Sequence, residues 1–76
     1  MAKLPVWDVE PRPKGRWAVK REGTKRASSL HETKAKAVAR GVDLGRRYQG
    51  QLRIKGRNGR VQDERTYGRD PHPPSV

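Results

Sequence analysis

The chain has 76 residues, of which 30% are apolar and 36% charged, and its 19 Lys and Arg against 8 Asp and Glu give a net charge of +11. That length holds one domain, and a domain so small buries only roughly 60% of the surface its unfolded chain exposes. The absence of cysteine excludes disulfides, a thiolate metal site and a catalytic thiol, and no apolar run suits a membrane span or a signal-peptide core; a cytoplasmic protein with no membrane partner is expected.

Residues 1–5, MAKLP, read as a disordered start, with one folded domain expected over residues 6–68. The run VWDVE at 6–10 alternates, so Trp7 and Val9 share one face and Val6, Asp8 and Glu10 the other. PRPKG at 11–15 is a loop, because Pro11 and Pro13 bring no N–H to a ladder and Gly15 permits positive φ. RWAVKREG at 16–23 alternates again, with Trp17 and Val19 opposite Arg16, Ala18 and Lys20. The two runs predict a hairpin. The polar stretch TKRASSLHE at 24–32 either extends the second strand or tucks Ala27 and Leu30 beneath a helix.

Thr33 reads as an N-cap, and the helix is expected from Lys34 to Tyr48, ended by Gly50. Ala37, Val38, Gly41, Leu44, Gly45 and Tyr48 follow the spacing of one helix face. Lys36, Arg40, Asp43 and Arg47 lie on the opposite side. A glycine in a helix interior costs roughly 0.8–1 kcal/mol against alanine, so Gly41 and Gly45 predict a close approach of the helix to a sheet, with a helix-helix contact as the alternative.

In QLRIKGRNGRVQDERTYG at 51–68, Asn58-Gly59 is the favoured pair for a two-residue type I′ turn. That turn pairs Arg57 with Arg60, Lys55 with Gln62 and Arg53 with Glu64. Leu52, Ile54 and Val61 then share the core face with Gly56, Asp63, Arg65 and Tyr67, and Arg53, Lys55, Arg57, Arg60 and Gln62 fill the solvent face. Asp63 is expected to pair with Arg65 or Arg21, and Tyr67 and Trp7 to close the edges of the core. RDPHPPSV at 69–76, with three prolines, reads as a flexible tail. The expected fold is α+β: two antiparallel β-hairpins in one four-stranded sheet packed on a single helix, in the order ββαββ.

Trp17-Ala-Val-Lys20, Gly23, Arg26-Ala-Ser28, Thr33, Ala37, Ile54-Lys-Gly56 to Gly59 and Arg65-Thr-Tyr-Gly68, followed by Asp70 and Pro71, together resemble the domain of unknown function 2188 family, over about residues 9 to 73. The departures are Gly41 and Gly45, where the family tends to have alanine. The resemblance implies a small bacterial two-hairpin, one-helix domain. It implies no activity and carries over no catalytic residue.

Arginine outnumbers lysine twelve to seven, and its planar fork suits phosphate. The excess charge points to a polyanionic partner, DNA, RNA or an anionic membrane surface, of which nucleic acid is the expectation. The nucleic-acid-binding candidates are Arg53, Lys55, Arg57 and Arg60 on the second hairpin, with Arg16, Lys20 and Lys25 from the first. The alternative for each is a solvated sheet face. A second basic face, on the helix at Lys36, Arg40 and Arg47 with Lys34 and Arg46 at its margins, could meet phosphate or an acidic protein but is more often solvation. For His31, packing at the helix entry is favoured over a role as general base of a small nuclease. Asp63 and Glu64 are adjacent on a strand, so they face opposite ways and make a poor dyad or metal site. No catalytic residue, metal or cofactor is expected. The main expectation is a non-catalytic nucleic-acid-binding module contacting phosphates; the alternative is a protein-interaction module with an acidic protein partner, or a homodimer through sheet-edge pairing.

Overall fold

The computed structural model describes residues 4–67. The expectations for residues 1–3 and for the tail at 69–76 lie outside the described residues. Strands β1 (Val6–Pro11) and β2 (Trp17–Arg21) form the first hairpin through a single 3-10 turn at Pro13–Gly15. There follow β3 (Ser29–His31), α1 (Lys34–Arg47), β4 (Gln51–Lys55) and β5 (Val61–Thr66).

The fold is α+β, but the expectation of a four-stranded sheet in the order ββαββ is corrected. The sheet has five strands in the order β3-β2-β1-β4-β5, and it is mixed. The extra strand comes from the polar stretch before the helix. Leu30 lies opposite Ala18 of β2 and is 57% exposed, so β3 is held by ladder hydrogen bonds and shows no apolar alternation. The two hairpins join through β1 and β4, which run parallel with Trp7 opposite Leu52 and Val9 opposite Ile54. The strands richest in large apolar side chains thus take the middle of the sheet. Their inward residues, with Trp17 and Val19 of β2, meet Ala37 and Leu44 of α1 in one core.

Thr33 caps the helix, accepting the Lys36 N–H at 3.2 Å. At the other end Gln49, not Gly50, takes the left-handed conformation (φ 53°). The Gly50 N–H donates to the Gly45 carbonyl at 2.8 Å, closing a Schellman motif. Gly50 answers to space instead: a Cβ there would collide with the Pro5 carbonyl oxygen and sit 2.7 Å from the Trp7 ring. Close approach also accounts for Gly41, where a Cβ would meet Leu52 Cδ1 at 2.7 Å, and for Gly45, where it would meet the Tyr67 ring at 2.7 Å.

The second hairpin turns differently from the type I′ expectation. Gly59 has φ +80° while Asn58 does not have positive φ, and the Gly59 N–H donates to the Gly56 carbonyl at 2.9 Å. Gly56 and Arg60 close a three-residue loop. This places Lys55 opposite Val61 rather than Gln62. A bulge then restores the expected register, with Ile54 opposite Asp63 and Arg53 opposite Glu64. The one-residue slip turns Val61 out of the core, 44% exposed. It brings Gln62 to the helix side, over Gly56 and within 2.9 Å of Lys34 Nζ.

Candidate functional site

Because β1 and β4 run the same way and the other strands pair with them, the molecule has two ends. At the upper end lie the Arg12–Arg16 loop, the Gly56–Arg60 turn and the start of α1. At the lower end lie the 22–28 loop and the close of α1. The sheet has one face under α1 and one open to water.

The open face is not the cationic surface that period-two alternation in β4 predicts. Asp8 lies opposite Lys20 in β2 and Arg53 in β4, and Arg53 lies opposite Glu64 in β5. Four neighbouring strands therefore carry Lys20, Asp8, Arg53 and Glu64 as a row of alternating sign. Arg53 grips Asp8 through two hydrogen bonds, Nε to Oδ1 at 2.7 Å and Nη2 to Oδ2 at 3.1 Å, and reaches Glu22 at 3.4 Å. The hydrogen bond to Asp8 is the main cause that raises the Arg53 pKa above its ordinary value. Arg53 is thus matched by carboxylates within the sheet, and Lys20 stands opposite one of them, Asp8.

The cations gather at the upper end instead. Arg57 lines a shallow groove of about 640 Å³ with Gly15, Trp17, Thr33, Lys34, Asn58 and Glu32. It also lines an adjoining groove with Arg12 and Arg16. Arg57 thereby brings the turn of one hairpin to the loop of the other. Arg60 belongs to the same turn, Lys55 ends the strand that leads into it, and Lys14 sits in the loop with φ 65°. Lys34 Nζ lies 5.2 Å from the Trp17 ring centre. The nearby carboxylates are Glu32, which lines the larger groove, and Glu10, 3.6 Å from Arg12. Among the described residues Arg12 Nε is enclosed without a hydrogen-bond partner.

Of the seven residues singled out from sequence, Arg57, Arg60, Lys55 and Arg16 come together here. Arg53 and Lys20 belong to the charge row, and Lys25 lies at the lower end in the loop that follows β2. Sequence reasoning missed Arg12 and Lys14, and it set Lys34 at the margin of the helix face rather than here. The first two stand in plain view in PRPKG, a cation-bearing loop between two strands that alternation already pairs. The helix cations are apart: Arg40 and Arg47 share Asp43, at 2.9 and 3.9 Å.

Asp63 pairs with Arg65 at 3.0 Å, one of the two expected partners. Trp7 is buried and stacks at a tilt against Tyr48, 5.6 Å between centres, and Tyr67 packs half-buried against the core. His31 Nε2 and Ser29 Oγ share a hydrogen bond at 2.7 Å, which braces the short β3 locally. Among the described residues no three of His, Cys, Asp and Glu come together as a metal site, and no helix is long and apolar enough to cross a membrane.

Comparison with curated proteins found no match, and comparison with solved structures found none. A family model described as "Uncharacterized protein conserved in bacteria (DUF2188)" matches residues 7–67, a span from Trp7 to Tyr67 that takes in the helix and all five strands but for the first residue of β1. The chain belongs to this family of bacterial domains of unknown function.

Proposed function

We infer that the protein is a cytoplasmic, non-catalytic nucleic-acid-binding module that holds phosphates at the upper end of its sheet. The observation that carries this reading is the meeting of Arg12, Arg16 and Lys34 around Arg57, with Lys14 and Arg60 beside them. Four cations from three separate elements, Arg12, Arg16, Lys34 and Arg57, line two joined grooves, and Lys14 and Arg60 belong to the same loop and turn. The start of α1 adds the positive end of its dipole to the same place. Trp17 in the groove is buried and already lies under Lys34, so bases have no aromatic platform here. That favours phosphate contacts over base stacking, and a duplex or folded strand over a bare single strand.

The test is salt-titrated binding of nuclease-treated protein to labelled duplex DNA, single-stranded DNA and structured RNA. The expected result is affinity that falls linearly in log–log form with salt. The Arg57→Ala/Arg60→Ala double variant should bind more weakly, and its duplex-DNA slope should flatten by about 0.9 for each phosphate it no longer neutralises. Unchanged affinity in that variant, with the fold intact, would move the site elsewhere. Absence of binding to all three ligands near physiological salt would overturn the reading.

A further inference from the structure

We propose that two copies of this chain pair through β5, antiparallel and centred on Glu64, into one continuous sheet. β5 is the outermost strand on its side, and all six of its residues are exposed. Among the described residues nothing pairs with its outer edge. α1 packs over β1 to β4, so β5 reaches past the helix into water.

The ladder decides which groups the edge offers. The Tyr67 N–H donates to the Gly50 carbonyl at 2.8 Å, and the same register continues through Leu52 opposite Arg65 and Ile54 opposite Asp63. Main-chain groups alternate along an antiparallel strand. Asp63, Arg65 and Tyr67 therefore turn theirs toward β4, and Glu64 and Thr66 turn theirs outward. A second strand has to bond through Glu64 and Thr66.

Charge then selects one register. With Glu64 opposite Glu64 of the second copy, Asp63 faces Arg65 of that copy, and Arg65 faces its Asp63. Asp63 and Arg65 already pair within the strand at 3.0 Å. The dimer turns two such pairs into a square of four charges with alternating sign. Sliding by one ladder step either way puts Asp63 against Asp63 or Arg65 against Arg65. The two Glu64 side chains meet on the other face, where Arg53 stands opposite each of them across β4. Charges and bulges often guard an edge strand against pairing, but a guard of one sign repels every copy. This edge is complementary to itself. The bulge at Gln62 limits the paired stretch to the second half of the strand.

The test is sedimentation velocity on nuclease-treated protein, from micromolar to millimolar concentration, so that bound nucleic acid cannot bridge copies. A monomer–dimer equilibrium is expected. Asp63→Arg sets arginine against arginine and should weaken it by roughly tenfold or more. The exchange Asp63→Arg with Arg65→Asp should restore it. Glu64→Pro removes an outward N–H that the monomer's own ladder does not use, so it should abolish pairing while circular dichroism shows the fold retained. A wild-type chain that stays monomeric at millimolar concentration overturns the proposal. So does a dimer that Asp63→Arg leaves unchanged, or one that the folded exchange variant fails to recover.

Discussion

Asp8 is the buried charged residue of the described chain, 6% exposed, and its partner is a single arginine. Removing one member of such a pair leaves the other charge uncompensated, which costs more than the pair's net worth. Arg53→Ala should lower stability by about 2–3 kcal/mol in urea unfolding, reduced from the fully buried case because Arg53 is partly in water. The double change Asp8→Val with Arg53→Met removes both charges and should be more stable than Arg53→Ala alone. If it is less stable, the pair is not what holds this part of the sheet. The folded pKa of Arg53 is raised, so its contribution is complete below the unfolded value. It is lost only as pH rises through the folded value, in strong alkali. In a binding assay, Arg53→Ala should change nucleic-acid affinity less than Arg57→Ala with Arg60→Ala does, so long as the variant is folded.

The helix meets the sheet through two glycines that answer to different neighbours. At Gly41 an added Cβ meets Leu52, which is fully buried and has nowhere to go. At Gly45 it meets the ring of Tyr67, which lies at the rim and can swing outward. Alanine gains roughly 0.8–1 kcal/mol of helix propensity at either site, against an overpacking cost of about 1–3 kcal/mol where the core cannot yield. Gly41→Ala should therefore melt below wild type and Gly45→Ala at or above it. Equal melting temperatures would mean that Leu52 moves as freely as Tyr67. Elements such as α1, β1, β2 and β4 are legible in the sequence because burial on one face writes a period into the residues. β3 is not, since a three-residue edge strand with Leu30 in water leaves no pattern. The parallel pairing of β1 with β4 has no local signal at all. The Asn58-Gly59 pair points to a turn but not to its length, and that one residue decides which side of the sheet Val61 and Gln62 occupy. The site is half legible for the same reason. Residues of one hairpin can be grouped from alternation, but the meeting of Arg12, Lys34 and Arg57 depends on how three elements end together.

Across the whole molecule the +11 charge is unevenly answered. The middle of the open face balances itself through Lys20, Asp8, Arg53 and Glu64, and the unmatched cations collect toward the ends. The lower end has cations too: Lys25 and Arg26 in the loop, and Arg46 and Arg47 at the close of α1. Net charge alone would make both ends equally attractive to a polyanion. The upper end differs in having grooves that gather its cations from three elements and a helix start rather than a helix end. A ligand that binds only the folded state stabilises it by about 2.7 kcal/mol when present at a hundred times its dissociation constant. In a domain of this size each kcal/mol moves the melting temperature by roughly 4–8 °C. Duplex DNA at low salt should therefore raise the melting temperature by about 10 °C or more under those conditions. Arg57→Ala with Arg60→Ala should remove most of that rise. Lys25→Ala with Arg26→Ala removes the same formal charge from the lower end and should leave most of it in place. Equal losses in the two variants would mean that the polyanion responds to total charge and that the grooves of the upper end confer no preference.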